Sequence, residues 1–404
     1  MNPQDSTTCV IVGGGPAGMM LGLLLARAGV AVKVLEKHAD FMRDFRGDTV
    51  HASTRQLLTD LGLAEQFARL PRQDINREAG LIHGNTSRKG AFRAPRVPVA
   101  MVPQWDFLEL LACAANAEPT FQLLRSAQVL GPLRRGGRVV GVRYRGPDGA
   151  ARELHAVLTV ACDGRDSTMR SAMRLRQRDF GAPMDVWWFR LPRGPADPPE
   201  FTGVAHIGHR CTMINRGDYY QIGYRIPKGQ DAVLRAQGIE ALRREMATLV
   251  PRLADRVAAL ESFDDVKLLD VQLNRLRKWY ADGILFIGDA AHAMSPAGGI
   301  GINLAIADAV AAARILANPL RAGTVSTRRL ARVQLRRLIP AITIQSVQRM
   351  MHARTVAVLR SGENGSRLPW QVRALDRSQL LRKAFGYVIA VGVLPEPTPA
   401  FARR

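Results

Sequence analysis

The 404-residue sequence predicts an α/β protein that carries an α+β insert and ends in a helical tail. Three observations predict it. Residues 8–35 run apolar stretch, glycine cluster, Ala/Leu/Met-rich stretch and second apolar stretch, which is the order of one βαβ unit. Residues 121–226 hold several strand-like runs divided by turn signals. Residues 284–317 return to a short apolar run followed by an alanine-rich helical stretch. Such βα units on both sides of a strand-rich stretch imply interleaved domains.

Each element has its own local reason. Residues 8–12 are apolar and largely β-branched, so they predict a buried strand; 16–28 predict a helix that Gly29 ends; 31–35 predict the next strand. Helices are expected over 53–70 and over 103–117, the latter entered through Pro103. Val139, Val140 and Val142 lie in one strand run, 146–149 is a turn, and 157–162 is another run. Residues 183–226 favour strands with a turn at 215–218, and 231–260 favour helices divided at Pro251. A strand at 284–287 and a helix at 301–317 follow, then tail helices interrupted at Pro340 and around 362–369. The expected division is a nucleotide-binding unit from 1–75, 101–180 and 265–317, a β-rich unit from 76–100 and 181–264, and a basic helical region over 318–404.

Composition narrows the class. Hydrophobic residues are 47% and charged residues 23%, which excludes a disordered chain, a fibrous repeat and a minimal disulfide scaffold. No uninterrupted apolar run reaches the roughly 18 residues of a membrane span. The N-terminus holds Asp5 and no base before its first apolar run, so it does not read as a signal peptide, and a cytoplasmic location is expected. Cys9, Cys113, Cys162 and Cys211 are far apart with no CxxC pair, so they read as reduced thiols and no metal site is expected.

The net charge is +22, and residues 318–404 hold 16 bases against three acids. No nucleic-acid motif accompanies this charge, so it reads first as a solvated arginine-rich surface and no nucleic-acid partner is expected. Docking of the tail on a peripheral anionic membrane or an acidic carrier protein is the alternative.

Three motifs carry chemistry. Gly13-Gly14-Gly15-Pro16-Ala17-Gly18 is GxGxxG, placed after a strand and opening a helix. Gly13 permits the tight turn, Gly15 lets the backbone approach a pyrophosphate, and Gly18 lets helix pack on strand. The helix N-terminus offers N–H groups and positive potential to phosphates. Glu36 ends the second strand, where a carboxylate accepts from both ribose hydroxyls and repels a 2′-phosphate. The tightly bound nucleotide is therefore FAD or NAD rather than NADP.

Gly288-Asp289-Ala290-Ala291-His292 follows the strand at 284–287 and leads through Ser295, Pro296 and a glycine-rich loop to Gly301-Ile302-Asn303. An Asp at a strand end holds a sugar-like hydroxyl, glycines let backbone lie against a flat ring, and a helix start favours negative charge on that ring. Asp163-Gly164, after the run ending at Cys162, is a turn whose Ser167 caps the next helix.

In this order and spacing the motifs resemble the flavin-dependent aromatic hydroxylases, the group typified by p-hydroxybenzoate hydroxylase, over roughly residues 8–317. The resemblance implies a Rossmann-like FAD-binding domain interleaved with an antiparallel-sheet substrate domain. It implies that Gly13, Gly15, Pro16, Ala17, Gly18, Glu36 and Lys37 bind the ADP half of tightly held, non-covalent FAD. It places Asp163 at the FAD and the visiting nicotinamide cofactor, and Gly288, Asp289, Gly301, Ile302 and Asn303 at the ribityl chain and flavin. Arg46 resembles the family's arginine near the pyrophosphate, Gln104 its polar residue between the two halves of the cofactor, and Pro296 the proline whose carbonyl lies near the reacting carbon.

The implied reaction is hydroxylation of an aromatic or polyketide-like molecule by a single-component monooxygenase. Transient NADPH or NADH reduces FAD, and O₂ reacts through a flavin C4a-hydroperoxide. Strand alternation puts Tyr220, Ile222 and Tyr224 on one face of the insert and Tyr219, Gln221 and Arg225 on the other. Tyr220 and Tyr224 are the candidate substrate contacts. A same-fold reductase or dehydrogenase without oxygen insertion is the alternative. Halogenation is disfavoured, because Trp187 and Trp188 are adjacent and fail the Trp-x-Trp spacing of flavin halogenases.

Overall fold

The computed structural model describes residues 5–42, 47–75, 80–83, 86–89, 99–195, 197, 202–206, 209–296, 299–360 and 392–404. Its centre is a parallel sheet. Strands Ile284–Phe286, Ala151–Ala161, Ser6–Val12, Val32–Leu35 and Phe121–Leu124 lie side by side in that order. Antiparallel strands Gln128–Arg135 and Arg138–Arg145 continue from Ala151–Ala161. Cys9, Val10 and Ile11 are buried on both faces, as strands covered from both sides must be. Helices Pro16–Arg27, Gln104–Asn116 and Gly301–Arg321 share one hydrophobic cluster over this sheet.

Gly301–Arg321 is long and apolar enough to cross a membrane, yet 72% of its most apolar window is buried inside the protein. That burial is the mark of a core helix. It runs past the expected end at 317 and through Pro319. The expected helix over 53–70 is two helices, Ala52–Asp60 and Ala64–Ala68, because Gly62 turns between them at φ +71°.

The second sheet orders Lys267–Leu269, Met184–Pro192, Tyr219–Pro227, His209–Asn215, Thr202–His206, Gly80–His83 and Thr86–Lys89. Its pairs are antiparallel except Thr202–His206 with Gly80–His83, which is parallel. Two boundaries differ from expectation. Lys267–Leu269 pairs with Met184–Pro192 and so belongs to this sheet. Strand Val99–Pro103 straddles the division at 100 and pairs with Gly47–Val50 and Gln73–Ile75 in a small third sheet.

The tail also differs. Thr327–Arg360 is one helix that continues through Pro340. Pro340 removes one main-chain hydrogen bond. Its neighbours Arg337, Ala341 and Ile344 are buried against the rest of the protein, and this packing holds the helix across the gap. The chain end returns to the first domain, where Arg404 donates its main-chain N–H to Asp60 and Thr398 its hydroxyl to the Asp60 carboxylate. The expected break around 362–369 lies outside the described residues.

Candidate active site

The first glycine loop is held by sterics. Gly13 has φ +99°, and a Cβ there would lie 2.6 Å from the carbonyl oxygen of Cys162. A Cβ on Gly18 would lie 2.0 Å from the carbonyl oxygen of Gly13. Gly15 differs, since among the described residues a Cβ there would meet nothing within 4 Å. It is the N-cap of helix Pro16–Arg27, whose first turn holds no acid and no side-chain cap. The loop thus presents an uncapped helix start to open space, with Ala17 and Gly18 buried behind it.

Glu36 is buried beside this loop. Its carboxylate accepts from the main-chain N–H of Gly14 at 2.8 Å and of His38 at 3.0 Å, which fixes it at the strand end. Lys37 is exposed. Gln104 opens helix Gln104–Asn116 directly after Pro103 and is half-buried. Arg46 lies outside the described residues.

The three motifs converge. The Gly13 turn rests on Cys162, the residue before Asp163. Gly288 has φ +60°, and its Cβ position lies 3.2 Å from Ala17 and 3.3 Å from Ala305, so it joins the first helix to the helix after the second loop. Arg165 Nε donates to Asp289 Oδ2 at 3.1 Å, tying the Asp-Gly turn to the Gly-Asp motif. Arg170 donates to the carbonyls of Ala290 and Arg165.

Asp163 itself is turned inward. It accepts from the Ser167 hydroxyl at 2.6 Å and the Met169 N–H at 3.0 Å, capping helix Thr168–Ala172 with Ser167. Burial raises its pKa, against the pull of those hydrogen bonds and of Arg170. Among the described side chains, its partners hold the turn and the helix start; Arg165 is the residue of this motif that reaches Asp289. Arg165 carries no helix or strand signal and was not singled out from sequence.

The second loop is held by side chains. Asn303 accepts from the His51 N–H at 2.9 Å and the Thr54 hydroxyl at 2.8 Å, and its amide donates to Thr49 and Gly299 carbonyls at 2.7 and 3.3 Å. All four bonding positions of that amide are used, so Asn303 fastens the glycine-rich loop to the strand and helix at 47–60. The Thr49 hydroxyl donates to the Gly299 carbonyl at 2.6 Å. Pro296 is half-buried, and its carbonyl accepts from the Gly299 N–H at 3.0 Å. Gly301 and Ile302 start helix Gly301–Arg321, and Ile302 is buried.

Beneath this loop, Asp308 accepts from the Gly288 N–H at 3.0 Å, lies 2.6 Å from His292 Nε2, and pairs with Arg337 at 2.8 Å. Burial alone would raise the Asp308 pKa, but the charges and hydrogen bonds of His292 and Arg337 hold it below the ordinary carboxylate value. Arg337 also reaches Glu396, and all three side chains are almost wholly buried. The sequence held a usable signal here, since a lone acid in an alanine-rich helix must be paired if it is buried.

The substrate expectation needs correction. Tyr220, Ile222 and Tyr224 are buried in a cluster with Leu242, Met246 and Leu249 of helix Ile239–Leu249. Burial and Glu245 push the Tyr224 hydroxyl pKa up. Tyr220 and Tyr224 therefore pack the sheet against its covering helix. The opposite face carries Trp188, Gln221, Gly223 and Arg225, with the Trp188 ring across Gly223. Arg225 acts electrostatically on His352, which lies 2.8 Å from the Ser295 hydroxyl in the second loop. Arg216, which donates to Gln221, likewise acts on Asp106 of the Gln104 helix. Burial raises the Asp106 pKa against that charge. This face looks toward the loop and the Gln104 helix.

An uncapped helix start behind open space, a fixed acid at the second strand end and a second loop with a helix start define a dinucleotide-binding flavoprotein fold, and these residues fit FAD. The comparisons agree. The FAD binding domain family matches residues 6–342. The chain is 34% identical over 345 residues to 6-methylpretetramide 4-monooxygenase of Streptomyces rimosus, covering 83% of this chain and 81% of that protein. It is 28% identical over 319 residues to rifampicin monooxygenase of Streptomyces venezuelae, covering 74% and 62%. PqsL of Pseudomonas aeruginosa in complex with 2-aminobenzoylacetate has the same fold, with a TM-score of 0.73 at 22% identity over 88% of this chain and 97% of that one. The chain belongs to the FAD-binding monooxygenase family and is an FAD-dependent enzyme of that class.

Proposed function

We propose that this chain hydroxylates a polycyclic phenolic molecule of the aromatic-polyketide kind, with NADPH or NADH as transient electron donor. The observation that carries the site is the convergence of the three motif loops through Gly13 on Cys162, Arg165 on Asp289 and Gly288 on Ala17. The substrate class is supported by the likeness to 6-methylpretetramide 4-monooxygenase. FAD, when bound, supplies the electron transfer and the activation of dioxygen.

The chain's own residues bind and orient. The start of helix Pro16–Arg27 at Gly15 would hold the pyrophosphate, Glu36 the ribose and Asp289 the ribityl chain. The helix start at Gly301-Ile302-Asn303 would offer its N–H groups to the flavin ring and would favour negative charge on it. Met294, Ile300 and Ile302 within the loop and Leu304 just after it are buried in the core and would keep water from beneath it. The sheet face with Trp188, Gln221 and Arg225 meets the substrate, and the Arg225 charge favours the ionised form of a phenol held against it.

The test begins with the absorption spectrum of the purified protein and analysis of the released cofactor, then NADPH and NADH oxidation with a panel of polycyclic phenols. Expected are bound FAD, stimulation by at least one polycyclic phenol, and ¹⁸O from ¹⁸O₂ in the product. Product formed without ¹⁸O, or stimulation confined to single-ring phenols, would overturn the reading.

A further inference from the structure

Helix Thr327–Arg360 holds eight arginines and no acid, yet its inner face is lined with amides. Gln334 accepts from the Trp279 N–H at 3.0 Å and donates to the Arg277 carbonyl at 2.9 Å. Gln345 donates to the carbonyls of Asn274 at 2.7 Å and Ala293 at 3.3 Å. Gln348 accepts from the Ser295 N–H at 3.1 Å and donates to the Ser295 carbonyl at 2.8 Å. His352 then meets the hydroxyl of the same serine. Residues 345, 348 and 352 recur at helical spacing on one face, and all three are buried.

The pairing at Ser295 is chemically particular. A primary amide offers an acceptor and a donor side by side, so it can satisfy both main-chain groups of one residue as a neighbouring strand would. No charged or apolar side chain of that size does both. Ser295 is the residue before Pro296, where the chain enters the loop that ends at Asn303. Its main chain is buried, so losing Gln348 takes one hydrogen bond from each of its polar groups.

We propose that Gln348 is a positioning residue for the flavin: by gripping Ser295 it sets where Pro296 and the helix start at Gly301-Ile302-Asn303 stand for the cofactor. The tail helix is then a working part of the cofactor site. This rests on the assignment of that loop to FAD.

The test compares two chemically alike grips on one helix. Gln348→Leu removes both bonds to Ser295; Gln334→Leu removes both bonds to the 277–279 segment, which packs on His292 through the Trp279 ring and is not bonded to Ser295. Gln348→Glu, which keeps the acceptor and loses the donor, serves if the leucine variant does not fold. Two quantities are read on each purified protein: hydrogen exchange of peptides covering 288–303 without FAD, and FAD affinity of the apoprotein from flavin fluorescence. The expected result is faster exchange in 288–303 and FAD affinity lower by about tenfold for the Gln348 variants. Gln334→Leu should lower the melting temperature comparably and leave both readouts at wild-type values. Equal loss of FAD affinity in both glutamine variants would overturn the proposal, as would unchanged exchange in 288–303, or loosened exchange with unchanged affinity. A wild-type protein that takes up no FAD, with exchange still loosened by Gln348→Leu, would remove the flavin assignment itself and this proposal with it, while leaving the grip.

Discussion

The two loops that face the proposed cofactor are built by opposite means. The first, Gly13–Gly18, is shaped by what its residues lack: no side chain larger than hydrogen fits at Gly13 or Gly18. The second, Gly288–Asn303, is shaped by side chains that reach it from elsewhere: Thr49, Asp308, Gln345 and Gln348. The first is therefore a local device that a short motif can encode. The second depends on residues up to 250 positions away in sequence and exists only in the folded protein. A steric loop tolerates change poorly but needs few partners, here the Cys162 backbone behind Gly13 and the Glu36 carboxylate on Gly14. A tethered loop is adjustable and fails when a remote residue changes.

That contrast can be broken most forcefully at Arg337. Arg337→Met leaves Asp308 and Glu396 as buried acids without this partner, and should cost about 3–5 kcal/mol in urea unfolding. The same network gives a pH signature. The folded pKa of Asp308 lies below its unfolded value, so its contribution is fully present above the unfolded pKa of about 4 and is lost as pH falls through the folded pKa. Asp308→Asn should therefore destabilise more at pH 7 than at a pH below that unfolded value, as read from denaturation midpoints. Asp163, whose folded pKa is raised by burial, has the opposite sign: its charged form disfavours the fold, and that cost fades as pH falls. An equal loss for Asp308→Asn at both pH values would break the assignment.

Next in size is Gly18→Ala, whose Cβ would strike the backbone of Gly13. A loss of about 3 kcal/mol and of FAD retention is expected, measured by thermal unfolding and flavin content. Gly15→Ala sharpens the comparison, because its Cβ enters open space. The melting temperature should hold within a degree or two while FAD affinity falls by about tenfold, the added methyl standing where the pyrophosphate approaches. Wild-type affinity for Gly15→Ala would show that the open space is not the phosphate site. The smallest effect belongs to Tyr224→Phe, which removes a buried hydroxyl on the helix-covered face. It should cost about 1 kcal/mol and leave FAD binding unchanged.

The structure makes plain why some positions were legible and others not. Gly13, Gly15 and Gly18 follow from backbone geometry, and Glu36 from the end of a strand, so local pattern was enough. Tyr220 and Tyr224 show the limit of alternation. Period-two patterning correctly separated the two faces of strand Tyr219–Pro227, but both faces carry apolar and aromatic residues, and nothing local says which one helix Ile239–Leu249 will cover. Pro340 is a second case: a local helix breaker overridden by burial of its neighbours. The arginine-rich tail is a third. Its composition reads as a solvated face, and Arg328, Arg332 and Arg349 are exposed; its bonds to the rest of the protein run through Arg337, Gln345 and Gln348, which composition hides on the inner face.

The sequence by itself determined the class of fold, the nucleotide loop and the acid at the second strand end, because these rest on backbone freedom, strand ends and a helix start within about 30 residues of one another. Only the tertiary structure decided which face of the insert looks toward the second loop, and that Arg337 and Gln348 hold that loop from below. The physical reason is that a buried charge or amide takes its meaning from its partner, and the partner is chosen by packing across long stretches of chain.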